Sequence, residues 1–344
     1  MALDVPASKP GATTPPGAHD EAEEARPVAD ASPMAAQAAG LPRLGTGQKV
    51  TRVVSPTINW RQRLREIWLS RELLIYLVRT EIKVKYKNSV LGLVWSMIAP
   101  AITLVIYLLV FTLIAKNGIP RFALFLFAGL LVWNLFQTSL LTGTGAVVNN
   151  AGIVKKVSFP REILALASVG SASVFFFFQA IVMVIFLAAF QSPPQWNYLP
   201  LIPLALLAVM VLSAGFSILL SSINVYLRDT QHLIEVVLQA WFWACPIVYS
   251  FQNTLSARLA KWHLTAVYLL NPLTPLVLSF QRALYGHVQV KSTVAPHAPF
   301  DVLPLHGFAW YAALDCAVLG FGIVLFLFSL VVFGRLEGNF AEEL

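Results

Sequence analysis

The sequence predicts an all-α membrane protein with six transmembrane helices, and three observations predict it. Apolar residues make up 57% of the chain, against the roughly 45–50% that is usual for soluble domains. Charged residues make up only 12%, and the mean hydropathy is +0.70. Such values require long runs without charge, so they exclude a soluble enzyme with a single core, a disordered chain and a secreted scaffold held by its two cysteines.

The chain is predicted to have three parts: a tail at 1–50, an amphipathic region at 51–88 and a transmembrane domain at 89–344. The tail is rich in alanine and proline and shows no apolar periodicity, so it is predicted to be disordered and cytoplasmic. It lacks the basic and apolar regions of a signal peptide, so the first membrane span is expected to direct insertion.

A basic amphipathic helix is predicted over residues 60–78, ahead of the first span. Apolar residues that include Trp60, Leu64 and Trp68 recur at helical spacing, and arginines occupy the opposite side. A basic amphipathic helix with tryptophans is typical of the membrane interface. Two interpretations stay open: an anchor for the next span, or a platform for a cytoplasmic partner.

Six apolar stretches follow, each near or above the roughly 20 residues that a helix needs to cross a bilayer. Because backbone groups in lipid must be paired within their own segment, these stretches are predicted to be helices and not strands. The predicted spans are 90–115, 122–148, 163–190, 199–225, 233–251 and 310–333. A count of five or seven stays open, because 266–284 is also rather apolar.

Positive residues predict that both termini are cytoplasmic. Nine lysines and arginines lie between residues 52 and 87, before the first span, and Lys155, Lys156 and Arg161 follow the second span. Lys116 and Arg121 in the loop after the first span are a mild conflict, which does not outweigh the block before the first span.

The sequence shows no constellation typical of catalysis, metal binding or nucleotide binding. It has no H-E-x-x-H, no C-x-x-C and no glycine-rich loop that ends in lysine. The two acids within the spans, Glu235 and Asp315, lie close enough to span ends that snorkelling to the interface explains them. A proton- or ion-driven transporter is therefore disfavoured.

Aromatic residues concentrate on the second, third and fifth predicted spans. They are either lipid-facing bulk or a ring that lines a polymer path, since aromatic faces stack on sugar rings. The residues selected as candidates for such a ring are Trp133, Phe136, Phe175, Trp241, Trp243 and Tyr249.

The segment 252–307 is predicted to contain two short helices that dip back into the outer leaflet. Its apolar part is interrupted by Asn271-Pro272 and by Pro275, which are not expected to continue a helix. Irregular backbone at membrane depth is tolerated only inside protein or along a cavity. An external gate and a plain extracellular hairpin are the two interpretations.

Four short motifs occur in a distinctive order over residues 60–333. They are YKNSVLGLVW at 86–95 with Pro100, KKVSFPR at 155–161, LRD at 227–229 with His232 and CPIVY at 245–249, and Asn271-Pro272 with Gln281-Arg282 and Gly286. Each motif is weak alone, but together and in this order they resemble those of ABC-2-type permeases that export polysaccharides. The predicted tail lies outside the resemblance.

The resemblance implies the permease subunit of an ATP-driven exporter. Two copies of such a chain form the pore, and two separate ATP-binding cassette subunits use ATP and Mg on the cytoplasmic side. A homodimer is also expected physically, because six helices of one chain enclose too little space for a glycan. This chain is expected to bind no cofactor, metal or nucleic acid itself, and to contact membrane lipids.

The implied cargo is a polyprenyl-pyrophosphate-linked polysaccharide, such as O antigen, galactan or teichoic acid. It would move from the cytoplasm to the outer side of a bacterial plasma (inner) membrane. Three alternatives stay open: a drug or lipid exporter of the same superfamily, a membrane-embedded glycosyl- or acyltransferase, and a structural scaffold.

The resemblance also implies roles for individual residues. Coupling to the ATPase is expected of Trp60, Leu64, Trp68, Lys155, Lys156, Pro160 and Arg161. A basic rim at the entrance is expected of Arg79, Lys83, Lys85 and Lys87, although anionic lipid headgroups would be attracted to it equally well. The external gate is expected to include Asn271, Pro272, Pro275 and Arg282.

Overall fold

Helices form nearly all of the regular structure in a computed structural model of the chain, which describes residues 60–87, 89, 92–114, 119–251, 268–290 and 300–344. The helices are, in chain order, α1 (Trp60–Leu69), α2 (Arg71–Lys85), α3 (Trp95–Leu108), α4 (Phe122–Asn149), α5 (Ala151–Val154), α6 (Glu162–Ala189), α7 (Leu201–Tyr226), α8 (Thr230–Trp243), α9 (Leu273–Leu284), α10 (Phe308–Leu336) and α11 (Phe340–Glu343). Within these ranges one short antiparallel pair, β1 (Gln289–Val290) and β2 (Phe300–Asp301), departs from the all-α prediction. The predicted tail at 1–50 lies outside the described residues.

Among the described residues, four helices are long and apolar enough to cross a membrane: α4, α6, α7 with the turn before it, and α10 with the turn after it. They run for 28 to 32 residues, which is roughly 40 Å or more at about 1.5 Å per residue. The second, third, fourth and sixth predicted spans are thus confirmed as helices of sufficient length and apolar composition.

The first and fifth predicted spans are less regular. Residues 92–114 are helical throughout but change from a 3₁₀ turn to α3 and then to a π-helical segment, and Pro100 lies inside α3. Helix α8 has 14 residues and ends at Trp243, so the predicted extension to residue 251 is wrong. Pro246 explains this end, because a proline disfavours helical geometry in the residue before it. The count of six spans stays a prediction.

The four long helices pack around a common hydrophobic core, with α4 against α6 and α7, and α7 along α10. Small residues allow the close approach. A Cβ added at Gly143 would lie 2.6 Å from the Ser217 Oγ, and one added at Gly322 would lie 3.2 Å from the backbone nitrogen of Leu212. The bundle therefore depends on glycine where α4 meets α7 and where α10 meets α7.

Helix α9 lies inside this bundle, and all of its 12 residues are buried. The predicted interruption at Asn271-Pro272 is confirmed, because the helix begins directly after it. The predicted interruption at Pro275 is wrong: that residue lies in the first turn, where a missing backbone N–H has no helical acceptor to lose. Residues 252–267 and 291–299 lie outside the described residues, so the pair of gate helices stays a prediction.

The helix ends form two groups, the basic end and the far end. The basic end comprises α1, the start of α6 and residues 337–344, and the Tyr226 hydroxyl at the end of α7 donates to the Leu336 carbonyl there, at 2.8 Å. The far end comprises residues 119–121, 192–198 and 285–287. There the Tyr285 hydroxyl donates to the Pro120 carbonyl at 2.8 Å, and the Arg121 guanidinium donates to the Ser192 hydroxyl at 2.7 Å.

Candidate functional site

A half-open cleft of about 490 Å³ lies between the end of α2, the start of α3 and the middle of α4 and α6. It combines one cation, several hydroxyls and amides, and three aromatic rings. The lining residues are Lys85, Tyr86, Ser89, Trp95, Pro100, Thr103, Leu130, Asn134, Thr138, Phe175 and Gln179. A volume of this size is typical of a site for a small ligand or for one end of a larger one.

At the mouth of the cleft, two residues from separate predictions come together. The ammonium of Lys85, predicted for the basic rim, lies 4.2 Å from the ring centroid of Phe175, predicted as a pore aromatic. The Tyr86 ring meets the same ring edge-on, with centroids 5.9 Å apart. A cation over a ring face is held by the ring quadrupole, and Lys85 is still exposed to an incoming anion.

Neutral hydrogen-bonding groups line the inner part of the cleft. The Asn134 side-chain amide on α4 donates to the Gln179 side-chain carbonyl on α6, at 2.9 Å. Thr138 lies one turn beyond Asn134. Amides and hydroxyls at membrane depth are expensive unless they are paired or face a polar ligand, so this wall suits a ligand with hydroxyl groups.

The chain turns from the cleft mouth into α3 at Gly92. The Gly92 backbone N–H donates to the Ser89 hydroxyl at 3.1 Å. Gly92 has a φ of +50°, while apart from its neighbours in the chain no heavy atom of the described residues lies within 4 Å of a Cβ added there. The left-handed backbone, and not a lack of space, is the reason for glycine at this position.

Glu81 fastens α2 to α6 beside the cleft. Its two carboxylate oxygens accept hydrogen bonds from the Ser171 hydroxyl at 2.6 Å and from the Ser168 hydroxyl at 3.2 Å. Burial raises the pKa of Glu81, while the two serines and Lys85 oppose that rise. Sequence reasoning missed Glu81. Two features of the sequence could have indicated it: Lys85 lies four residues after it, and Ser168 and Ser171 lie three residues apart.

Four charged residues meet at the basic end, and we call them the Arg63 cluster: Arg63, Arg161, Glu162 and Glu337. The Arg63 guanidinium donates to the Glu162 carboxylate and, at 2.8 Å, to the Glu337 carboxylate. Arg161 donates to the Glu337 carbonyl at 2.9 Å, and its Nε lies 3.7 Å from the Glu337 carboxylate. The Glu162 side chain is fully buried, and its Oε2 has no partner among the described residues.

The residues predicted to couple to an ATPase lie around this cluster. Trp68 is 69% exposed, Trp60 and the two lysines of the 155–161 loop are also exposed, and Leu64 packs into the core of the basic end. Pro160 and Arg161 are half-buried. Of the predicted basic rim, Arg79, Lys83 and Lys87 are exposed, and Lys85 alone appears in the lining of the described cleft. The coupling and rim roles stay predictions.

Most of the predicted pore aromatics pack within the chain. Phe136 is fully buried with its ring centroid 5.3 Å from that of Trp241, and Trp133 is buried 5.4 Å from the Phe242 ring. The Tyr249 hydroxyl bonds the Tyr268 hydroxyl and the Trp243 carbonyl. Trp243 itself is exposed and Phe175 lines the cleft. One chain therefore does not bring the six aromatics into a ring, and pore lining stays a prediction.

Of the predicted gate residues, Asn271 joins the end of α8 to the start of α9. Its side-chain oxygen accepts from the Trp241 indole at 2.9 Å and from the Leu273 backbone N–H at 3.2 Å. Pro272 and Pro275 begin α9. Arg282, near its end, lies over the Tyr198 ring at 4.6 Å, and its Nε and Nη1 have no partner among the described residues.

Asp315 on α10 is fully buried and does not snorkel to the interface. The Ser279 hydroxyl donates to one of its oxygens at 3.0 Å, and the other oxygen has no partner among the described residues. Snorkelling of Glu235 stays a prediction: its side chain is 52% exposed, and its carboxylate lies 3.7 Å from the His232 ring.

Comparison with known proteins relates this chain to a transporter family. The sequence profile of the family described as ABC-2 type transporter matches residues 72–285. The O-antigen export system permease protein RfbA of Myxococcus xanthus is 33% identical over 224 residues, covering 65% of this chain and 84% of that protein. A protein of the same name from Klebsiella pneumoniae is 28% identical over 273 residues, covering 79% of this chain and 95% of that protein. The family match contains the whole cleft, whereas Arg63 and Glu337 lie outside it.

Proposed function

The chain belongs to the ABC-2 type transporter family, and from this premise we propose that it is the permease subunit of an ATP-driven exporter of a lipid-linked polysaccharide. The names of its relatives support this function. The single observation in the fold that carries the proposal is the cleft, which places the Lys85 cation beside aromatic rings and a hydrogen-bonding wall.

The lining of the cleft suits the linkage end of such a cargo. The Lys85 ammonium attracts a pyrophosphate by charge, and the faces of Phe175 and Trp95 suit the apolar faces of a sugar ring. Asn134, Thr138 and Gln179 supply donors and acceptors for sugar hydroxyls. The cleft takes a headgroup and the adjoining sugar, while the long polymer needs a wider path.

That wider path is proposed to lie between two copies of the chain. In the part of the chain that the structure describes, the long helices of one copy enclose a packed core, so we place the path for the glycan outside that core. Helix α8 carries His232, Glu235 and Gln239 at spacings of three and four residues, all exposed. Polar side chains avoid lipid tails, so this face of α8 is proposed to border an aqueous path or the second copy.

ATP hydrolysis is proposed to occur in two copies of a separate ATP-binding cassette subunit, which uses ATP and Mg. The exposed 155–161 loop, with Lys155 and Lys156, offers that subunit a docking surface at the basic end. The basic end is accordingly assigned to the cytoplasm, in line with the positive-inside rule. Both termini then lie in the cytoplasm, in a bacterial inner membrane.

The test uses the complex of this chain with its ATPase subunit, purified from the native host and reconstituted in liposomes. Addition of a polyprenyl-pyrophosphate-linked glycan is expected to stimulate ATP hydrolysis and to deliver glycan to the opposite side. The substitution Lys85→Gln is expected to raise the half-stimulating substrate concentration about tenfold, the scale of one lost charged contact.

Lys83→Gln is the matched control, because Lys83 is exposed on the same helix and does not line the cleft. Equal effects of the two substitutions would show that only general attraction to the basic surface matters. Stimulation by a drug or a free lipid, and not by the glycan, would favour the alternative exporter. Turnover of a sugar donor by the chain alone would favour a transferase.

A further inference from the structure

The Arg63 cluster joins three segments that are far apart in the chain. Arg63 lies on α1, Arg161 and Glu162 lie at the start of α6, and Glu337 follows α10. The partners of Arg63 are 99 and 274 residues away along the chain. Their meeting is therefore a feature of the tertiary structure and not of local helix spacing.

The charges of the cluster balance, since two arginines face two carboxylates. The Glu162 side chain is fully buried, and those of Arg63, Arg161 and Glu337 are each 20% exposed or less. Removal of one partner from such a group leaves a buried charge uncompensated, which is strongly unfavourable. Relative movement of α1, α6 and residues 337–344 is therefore resisted at this point.

The segment 337–344 is seated in the bundle. Phe340 is fully buried, with its ring 5.3 Å from the Phe333 ring and 6.1 Å from the Tyr226 ring, and with the Arg161 guanidinium 5.9 Å above it. A Cβ added at Gly334 would lie 2.9 Å from the Arg63 guanidinium carbon. The last turn of α10 thus fits closely under Arg63.

A continuous set of contacts leads from the exposed loop to the cleft. The loop ends at Arg161, which Glu337 connects to Arg63 on α1. Only Ser70 separates α1 from α2, and its backbone N–H and carbonyl bond Glu66 and Leu74 on the two sides. Helix α2 then ends at Lys85 in the cleft mouth.

We infer that residues 337–344 are a positioning element of the exporter, with Glu337 holding the 155–161 loop in fixed relation to α1 so that movement of the loop is passed to α2 and the cleft. This inference rests on the proposed function for the source of that movement, the ATPase subunit. Glu337 touches no cargo in this scheme and acts through Arg161 and Arg63.

The first experiment compares Glu337→Gln with Glu342→Gln in the reconstituted complex. Glu342 is an exposed acid in the same segment and serves as the control. Glu337→Gln is expected to lower glycan export about fivefold to tenfold, the range of a typical coupling energy, while ATP hydrolysis and the amount of bound ATPase subunit stay unchanged. The ratio of export to ATP hydrolysed is the readout that a purely structural role would not change.

The inference would be overturned if export and ATP hydrolysis fell together, in proportion to the amount of folded complex. It would also be overturned if the two variants behaved alike. Glu337→Asp keeps the charge and is expected to recover part of the ratio of export to ATP hydrolysed. A role of the carboxylate would be contradicted if Glu337→Asp did not recover this ratio while Glu337→Ala kept the wild-type ratio.

A second measurement does not depend on the cargo, so its failure is distinguishable from failure of the proposed function. Spin labels are placed at Ser158→Cys in the loop and Leu69→Cys at the end of α1, after exposed Cys316 is changed to serine; Cys245 is buried. In the labelled protein that keeps Glu337, the distribution of distances between the labels is expected to be narrow with and without ATP. In the labelled protein with Glu337→Gln, this distribution is expected to be broader. Equally narrow distributions in both would overturn the inference.

Discussion

At the basic end Arg63 and Arg161 meet two carboxylates, whereas toward the far end Arg282 and Asp315 meet only neutral groups among the described residues. Arg282 has the Tyr198 ring and hydroxyl, and Asp315 has the Ser279 hydroxyl. The side chains of Arg282 and Asp315 are nonetheless buried. The same residue types therefore occupy two electrostatic settings in one bundle.

This difference identifies the contacts that hold separate segments of the fold together. Oppositely charged partners from separate segments resist being drawn apart, because separation leaves each charge poorly solvated. A buried charge that has only neutral partners imposes no such link between segments, and its own desolvation is incompletely offset. We therefore expect substitutions at the two ends to have effects of different size, and the following predictions test that difference.

The largest effect is expected from Arg63→Ala at the basic end. Loss of the guanidinium leaves the buried Glu162 carboxylate without its cation, a change that costs about 3–5 kcal/mol in buried ion pairs. A marked fall in the midpoint of thermal unfolding in detergent is the expected result. Arg65→Ala is the control, since Arg65 is exposed on the same helix and such surface changes stay within about 0.5 kcal/mol.

Equal midpoints for the two variants would contradict the fastening role of the cluster. If Arg63→Ala lowered the unfolding midpoint and the double variant with Glu162→Leu restored it, the role of the cluster would be defined more closely. Such a reversal would locate the loss in the uncompensated carboxylate and not in the packing of the arginine stem.

Hydropathy predicted the long helices because a lipid environment imposes composition directly on α4, α6, α7 and α10. It could not predict the Arg63 cluster, because partners separated by 99 and 274 residues leave no periodic pattern. The positive residues predicted a basic end, but no signal distinguished the paired Arg161 from the exposed Lys155.

Composition also could not separate core aromatics from exposed ones. Phe136 and Trp243 are both aromatics on predicted spans, yet the first is fully buried and the second is 53% exposed. Only the packing of α4 against α8 decides between them. Lys85 and Phe175 were each selected from the sequence for separate reasons, and the fold of α2 onto α6 brings them together in the cleft.

An intermediate effect is expected from Glu81 on α2, a carboxylate that, like Asp315, accepts hydrogen bonds from serine hydroxyls. Burial raises its pKa in the folded protein above the ordinary glutamate value. The folded state therefore binds this proton more tightly than the unfolded state does. The stabilisation is present below the ordinary pKa and is lost as the pH rises through the raised one.

Hydrogen exchange of the α2 amides measures this dependence. Protection of α2 is expected to fall as the pH rises through that window in the wild type, after correction for intrinsic exchange rates. Glu81→Gln cannot ionise and is expected to remove the dependence, while Glu72→Gln, at an exposed acid on the same helix, is expected to keep it. A dependence that survived in Glu81→Gln would assign the titration to another group.

The smallest effect is expected from Asp315→Asn toward the far end. The asparagine side-chain oxygen still accepts from Ser279, and the charge that lacks a cationic partner among the described residues is removed. The unfolding midpoint is therefore expected to stay the same or rise slightly, within about 1 kcal/mol. A fall as large as that of Arg63→Ala would mean that Asp315 has a cationic partner beyond the described residues or in a second copy. The two ends would then hold their charges in the same way, and the comparison between them would fail.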